Sequence, residues 1–103
     1  MTTKSRPADK RGHARRHPGL ALKLHLADQE MTATALAKMT GYTRKHISEL
    51  LNGHADFNPE SAIKIARATG TTPDLWMNMQ LAYSMEQAKQ SLATWKPKRH
   101  EAA

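Results

Sequence analysis

Residues 32–53 read TATALAKMTGYTRKHISELLNG. Threonine is a favoured helix N-cap, and Thr32 and Thr43 each precede a run of helix-forming residues. Gly41 stands where the first run must end, because glycine readily adopts the left-handed conformation that closes helices. The pattern therefore predicts two short helices joined by a tight turn.

The apolar side chains of this stretch are spaced to bury one side of each predicted helix. Ala37 is small enough for the helix crossing, and Ile47 holds the second helix against the core, together with Leu36 and Leu50. The outer face of the second helix is then polar, as insertion into a DNA groove requires. Its residues are Arg44, Lys45, Ser48 and Glu49. We interpret residues 32–52 as a DNA-binding helix-turn-helix.

Proline and glycine mark further helix ends along the chain, because proline suits a first turn and glycine the position after the last. The predicted helices begin at Pro18, after Thr32, after Thr43, at Pro59 and at Pro73, and end near residues 28, 41, 53, 70 and 93. The expected fold is all-α, with five helices of which the last is long, and with flexible basic tails.

One segment shows the periodicity of a strand. Leu20, Leu22, Leu24 and Leu26 alternate with other residues, which is typical of a half-buried β-strand. We nevertheless predict a helix, because leucine, alanine and lysine favour helices and no second strand pattern exists for pairing.

The net charge of +7 lies at the two ends of the chain. Residues 1–16 hold six Lys and Arg against one Asp, and residues 96–103 hold three against one Glu, giving +5 and +2. Both segments have too few apolar side chains to fold, so we expect a disordered basic arm and a basic tail. Residues 17–95 are neutral and form the single expected domain for DNA binding and dimerisation.

Composition argues against several classes of protein. The chain has no cysteine, no apolar run of the ~20 residues that a membrane helix needs, and no phosphate-binding or nucleophile motif. His13 and His17 are four residues apart, as metal-ligating pairs on a helix are, but we expect them to lie in a disordered tail and therefore expect no metal site. The sequence predicts a cytoplasmic protein without cofactor or enzymatic activity.

Several segments carry a resemblance to a known family: HPG at residues 17–19, ISELLNG at 47–53, PESA at 59–62, IARATG at 65–70 and TPDLWMNMQLAY at 72–83. Residues 32–53, followed by PESA and IARATG, resemble the lambda-repressor-like (Cro/C1, XRE) helix-turn-helix class. Within that class, HPG, ISELLNG and TPDLWMNMQLAY resemble the HigA antitoxin family, and the resemblance covers about residues 17–88. The spacing of Trp76, Gln80 and Tyr83 is the most discriminating part.

The resemblance implies a repressor that binds the promoter of its own operon as a dimer and neutralises a ribonuclease toxin of the HigB/RelE kind. A freestanding XRE-type regulator without a toxin partner remains the alternative, since the two roles share a fold. Leu20 and Leu24 stand where the family usually has charged residues, which predicts extra apolar surface on the first helix.

The predicted DNA contacts divide into two sets. Residues near the start of the second motif helix meet base edges, with Arg44 as the expected guanine reader: Thr43, Arg44, Lys45 and Ser48. Residues around them meet phosphates of double-stranded operator DNA, and two more reach DNA from the basic arm: Lys38, Asn52 and His54, with Arg15 and Arg16.

The last predicted helix has two apolar faces at 100° per residue. One face holds Leu75, Trp76, Met79, Ala82 and Tyr83, and the opposite face holds Met77, Leu81, Met85, Ala88 and Leu92. A single domain covers only one of them, so we predict that the second face forms a homodimer interface.

Overall fold

The computed structural model describes residues 16–99, and this part of the chain consists of five α-helices without a strand. They are α1 Pro18–Asp28, α2 Ala33–Thr40, α3 Arg44–Leu51, α4 Pro59–Thr69 and α5 Pro73–Ser91. The prediction of an all-α domain is confirmed. None of these helices has the length and apolarity needed to cross a bilayer. Most of the predicted basic arm, residues 1–15, and the end of the predicted tail, residues 100–103, lie outside the described residues.

Side chains and glycines fix the helix ends as the sequence predicts. Before α2 to α5, one side chain accepts a hydrogen bond from a backbone N–H in the first turn, and these caps are Thr32, Thr43, Asn58 and Thr72. Gly41 and Gly70 close α2 and α4 with φ of 82° and 75°. The local chemistry of capping therefore sets most of the boundaries.

The alternating leucines of α1 form two helical stripes. Leu22 and Leu26, one turn apart, are buried in the core. Leu20 is half-buried and Leu24 is exposed, and both lie on roughly the opposite side of the same helix. Residues i and i+4 share a helix face, so two interleaved pairs produce the alternation that resembles a strand.

One apolar cluster joins all five helices, with Trp76 of α5 among its largest buried side chains. The Trp76 ring stacks on Phe57 at a centroid distance of 5.4 Å. Its Nε1–H donates a 2.7 Å hydrogen bond to Thr71 Oγ1, so the buried indole has a polar partner. The remaining core residues are Leu22, Leu26, Leu36, Ala37, Ile47, Leu50, Ala62, Ile65 and Ala66.

The N-terminus of α1 packs directly on the C-terminus of α3. A Cβ atom on Gly19 would collide with the Leu50 carbonyl oxygen, so only glycine allows this approach. His17 Nδ1 accepts the Gly19 N–H at 2.9 Å, and Nε2 lies 3.0 Å from Asp56 Oδ1. Because Nδ1 is an acceptor, Nε2 carries the proton that His17 donates to Asp56. These contacts fix where α3 ends relative to α1.

Gln80 is the main polar side chain that the fold buries in α5, with 5% of its surface exposed. Its Oε1 accepts the backbone N–H of Phe57 at 2.8 Å, and its Nε2 donates to Ser84 Oγ at 3.0 Å. A buried polar group is stabilising only when it is hydrogen-bonded. Gln80 therefore ties α5 to the loop that precedes α4.

We expect Gln80→Leu to lower the free energy of unfolding by about 1–3 kcal/mol, because the buried Phe57 N–H loses its acceptor. Gln87→Leu on the exposed side of the same helix is the control and should change it by less than about 0.5 kcal/mol. Urea denaturation measures both. Equal effects of the two substitutions would contradict the role of Gln80.

Candidate nucleic-acid interface

The turn between α2 and α3 holds the second helix rigidly against the first. Gly41 takes the left-handed conformation, and Thr43 Oγ1 accepts the His46 N–H at 3.0 Å. Ile47 and Leu50 of α3 are fully buried. Since one side of α3 is anchored in the core, the opposite side is presented at a fixed angle.

The predicted base-reading residues surround the outward side of α3. Thr43, Arg44 and Lys45 are exposed, and Ser48 is half-buried on the same helix. The Thr43 hydroxyl accepts the capping hydrogen bond, so one of its lone pairs is occupied while its proton stays available. Four polar groups therefore lie along one surface, and three of them are fully accessible.

Asn52 and Lys23 extend this surface at the C-terminal end of α3. Asn52 Nδ2 lies 3.3 Å from Ser48 Oγ, and Lys23 Nζ of α1 lies 3.4 Å from Asn52 Oδ1. The sequence does not indicate that Lys23 belongs to this surface, because its contact with Asn52 spans 29 residues and the surrounding leucines indicate only helix packing. The surface is thus built from two helices.

The predicted phosphate contacts lie at different places. Lys38 on α2 and His54 after α3 are exposed, and the His54 N–H donates to the Glu49 carbonyl at 2.8 Å. Arg16 is exposed and lines a groove between α1 and α5. Arg15 lies outside the described residues.

Tyr42, Glu60 and Lys64 form a cluster between the turn that joins α2 to α3 and the start of α4. Lys64 Nζ lies 2.9 Å from Glu60 Oε2 and 4.8 Å from the centroid of the Tyr42 ring. Burial and the neighbouring Glu60 carboxylate raise the pKa of Tyr42, and the hydrogen bond from Lys64 lowers the pKa of Glu60. The Tyr42 ring also packs on His46, at 4.6 Å between centroids. These contacts attach the turn between α2 and α3 to α4.

The outward face of α5 differs in part from the predicted interface. Leu81, Met85, Ala88 and Leu92 are exposed. Met77 is half-buried and packs against the core, because its position on α5 borders the buried Trp76 and Gln80. The predicted core-side residue Leu75 is 43% exposed. Trp95 is exposed beyond the end of the helix.

A second apolar surface lies between α1 and α5. It is an open groove of about 300 Å³, with Leu20, Ala21 and Leu24 on one wall and Met79 and Ala82 on the other. Leu24 is 63% exposed at its edge. The groove combines the leucines that distinguish α1 with the side of α5 next to the core.

Comparison with known proteins gives one family and several relatives. A family model described as helix-turn-helix matches residues 22–76. Virulence-associated protein A′ of Dichelobacter nodosus is 31% identical over 79% of this chain and 76% of its own. The uncharacterized HTH-type transcriptional regulator YddM of Escherichia coli is 29% identical over 73% and 80%. Antitoxin HigA-1 of Vibrio cholerae is 42% identical over 55 residues, 53% of this chain and 51% of that protein.

Two solved structures share the fold. An addiction module antidote protein of the HigA family from Coxiella burnetii has a TM-score of 0.72 and 29% identity, covering 82% of this chain and 98% of that one. Pseudomonas aeruginosa antitoxin HigA with the higBA promoter has a TM-score of 0.73 at 24% identity, covering 77% and 87%. The resemblance to HigA antitoxins is therefore confirmed.

Proposed function

The chain belongs to the helix-turn-helix family, and we propose that it is a sequence-specific DNA-binding repressor that acts as the antitoxin of a toxin–antitoxin pair. The observation that carries the proposal is α3, a helix anchored by Ile47 and Leu50 with a polar and cationic opposite face. A major groove accepts one α-helix, whose side chains then reach base edges.

In this proposal α3 lies in the major groove of operator DNA. Arg44 is placed near the helix N-terminus, where it reaches guanine O6 and N7. Lys38 on the neighbouring helix meets phosphates and adds affinity without sequence information. Lys64 is paired with Glu60, whereas Arg44, Lys45 and Lys38 are the exposed cations of α3 and α2.

We expect Arg44→Ala to weaken binding to a preferred duplex by about 1–3 kcal/mol and to relax the preference at one base pair. Lys38→Ala serves as the matched control, since it removes a phosphate contact and should weaken all duplexes alike. Fluorescence anisotropy with a selected and a scrambled duplex measures both. Equal losses of Arg44→Ala on the two duplexes would refute the reading role.

We further propose that the repressor is a homodimer formed by the outward face of α5. Leu81, Met85 and Leu92 expose 61%, 49% and 52% of their surfaces, and Ala88 lies among them. Exposed large apolar side chains at helical spacing favour a covered interface over free surface. A twofold pair also places two recognition helices about one DNA turn apart.

Leu81→Asp is expected to give monomers, because it places a charge in this face without entering the core. Leu24→Asp is the matched control: it puts the same charge on an equally exposed leucine of α1 and should leave the dimer intact. Light scattering gives the mass of each variant. A Leu81→Asp protein that stays dimeric would disprove the α5 interface.

The toxin partner is proposed from the likeness to HigA antitoxins, and the groove between α1 and α5 is its proposed surface. The groove is apolar and includes Leu20 and Leu24, at positions where the resembled family usually has charged residues. Met79 and Ala82 are the residues of α5 that line it, and Leu81 and Met85 do not, so the proposed dimer face is not part of the groove.

The product of a small basic reading frame beside the gene is the toxin to test. We expect it to co-purify with the wild-type protein and with Lys38→Ala, and to be lost from Leu24→Asp, because the charge enters the apolar groove. The DNA affinity of Leu24→Asp should stay unchanged. Retention of the toxin by Leu24→Asp would show that another surface binds it.

A freestanding transcriptional regulator is the second candidate. The observation that favours it is the likeness to YddM over most of both chains, a protein described only as a transcriptional regulator. The two candidates make the same prediction for Arg44 and differ in the protein partner. A gene without a neighbouring toxin frame favours the freestanding regulator.

A further inference from the structure

Three polar side chains form a chain of hydrogen bonds along the outward side of α3. Lys23 Nζ of α1 contacts Asn52 Oδ1 at 3.4 Å, and Asn52 Nδ2 contacts Ser48 Oγ at 3.3 Å. Ser48 lies on α3 and Asn52 follows its last turn, whereas Lys23 belongs to another helix. The chain therefore links α1 to a residue of the predicted base-reading set.

The direction of these hydrogen bonds follows from Lys23. An ammonium group has donors and no acceptor, so the Asn52 atom that faces Lys23 must be the carbonyl oxygen. The amide nitrogen then faces Ser48 and donates to its hydroxyl oxygen. Since that oxygen accepts one hydrogen bond, the Ser48 proton remains to be donated elsewhere.

Within the described residues, the Ser48 hydroxyl does not donate its proton to a backbone carbonyl of α3. Thr40 and Thr69 donate their hydroxyl protons to backbone carbonyls one turn earlier, at 2.9 and 2.7 Å. In residues 16–99 the Ser48 hydroxyl has no such acceptor, and Asn52 is its hydrogen-bond partner. Its proton is thus free to point away from the core.

The packing of α1 against the end of α3 holds Lys23 in place beside Asn52. Gly19 brings the start of α1 against the Leu50 carbonyl, and Leu22 beside Lys23 is fully buried. The Lys23 stem therefore begins at a fixed point next to the end of α3, while its ammonium group stays exposed.

We propose that Lys23 is a positioning residue that, through Asn52, makes Ser48 a hydrogen-bond donor toward DNA. Ser48 then selects a base that presents an acceptor in the major groove: guanine through O6 or N7, adenine through N7, or thymine through O4. Cytosine, which presents an amino donor there, is disfavoured. This inference rests on the proposed DNA-binding function.

The test uses duplexes selected from a random library by the full-length wild-type protein. At the position read by Ser48, defined as the one where Ser48→Ala loses discrimination, the wild type should prefer an acceptor base over cytosine by about tenfold. Lys23→Met should reduce that preference below about threefold, and Lys23→Arg should restore it because arginine is also an obligate donor. Lys38→Met, which removes the same charge without touching Asn52, should leave it unchanged.

Asn52→Asp reverses the hydrogen-bond direction. A carboxylate accepts from both Lys23 and Ser48, so the Ser48 proton turns inward and its lone pairs face DNA. We expect the preference to move toward cytosine, whose amino group donates, and to vanish when Ser48→Ala is added. His54→Asp places the same charge two residues away and should lower affinity without moving the preference.

The measurements distinguish a failure of DNA reading from a failure of the role of Lys23. A wild-type protein that binds selected and scrambled duplexes equally overturns the DNA-reading function, and with it this inference. A wild type that discriminates while Lys23→Met and Lys38→Met retain the same preference overturns the inference alone. Circular dichroism of Lys23→Met should match the wild type, because Lys23 is exposed.

Discussion

The contact between Gly19 and the Leu50 carbonyl is the constraint on which the interface depends. Only a residue without a Cβ allows the start of α1 to touch the last turn of α3. His17 reinforces the contact by accepting the Gly19 N–H and donating to Asp56, and its ring lies edge-on to Tyr83 of α5. The end of α3 is thus fixed from α1 and α5, while Gly41 and Tyr42 fix its beginning. A helix held at both ends presents its side chains at a defined angle.

The basic side chains of the folded region have two different roles. The folded region is neutral overall, so the proposed recognition of DNA depends on where a few cations lie and not on the net charge. Lys64 is paired with Glu60 and covers Tyr42, so it stabilises the turn. Arg44 and Lys45 stay exposed on α3. Lys64 therefore stabilises the turn, whereas Lys45 stays exposed to solvent.

Most of the fold was predictable because its determinants are local. Thr32, Thr43 and Asn58 cap helices through hydrogen bonds to residues three positions on, and Gly41 closes α2 within one turn. Periodicity alone would assign the alternating leucines to a strand, whereas they form two stripes of one helix. Gln80 was not predictable as a buried anchor, because its partner at Phe57 is 23 residues away and glutamine is usually a surface residue.

At the candidate interface, too, the sequence does not reveal contacts between residues that are far apart in the chain. Sequence alone identifies Ser48 as a polar residue on the outward side of α3, because Ile47 and Leu50 define the inward side. It does not identify whether a hydroxyl gives or accepts a proton, since serine does both. That choice depends on Lys23, 25 positions earlier in the sequence, through the orientation of one amide. The proposed base preference therefore depends on tertiary contacts between polar side chains, for which the sequence carries no periodic signal.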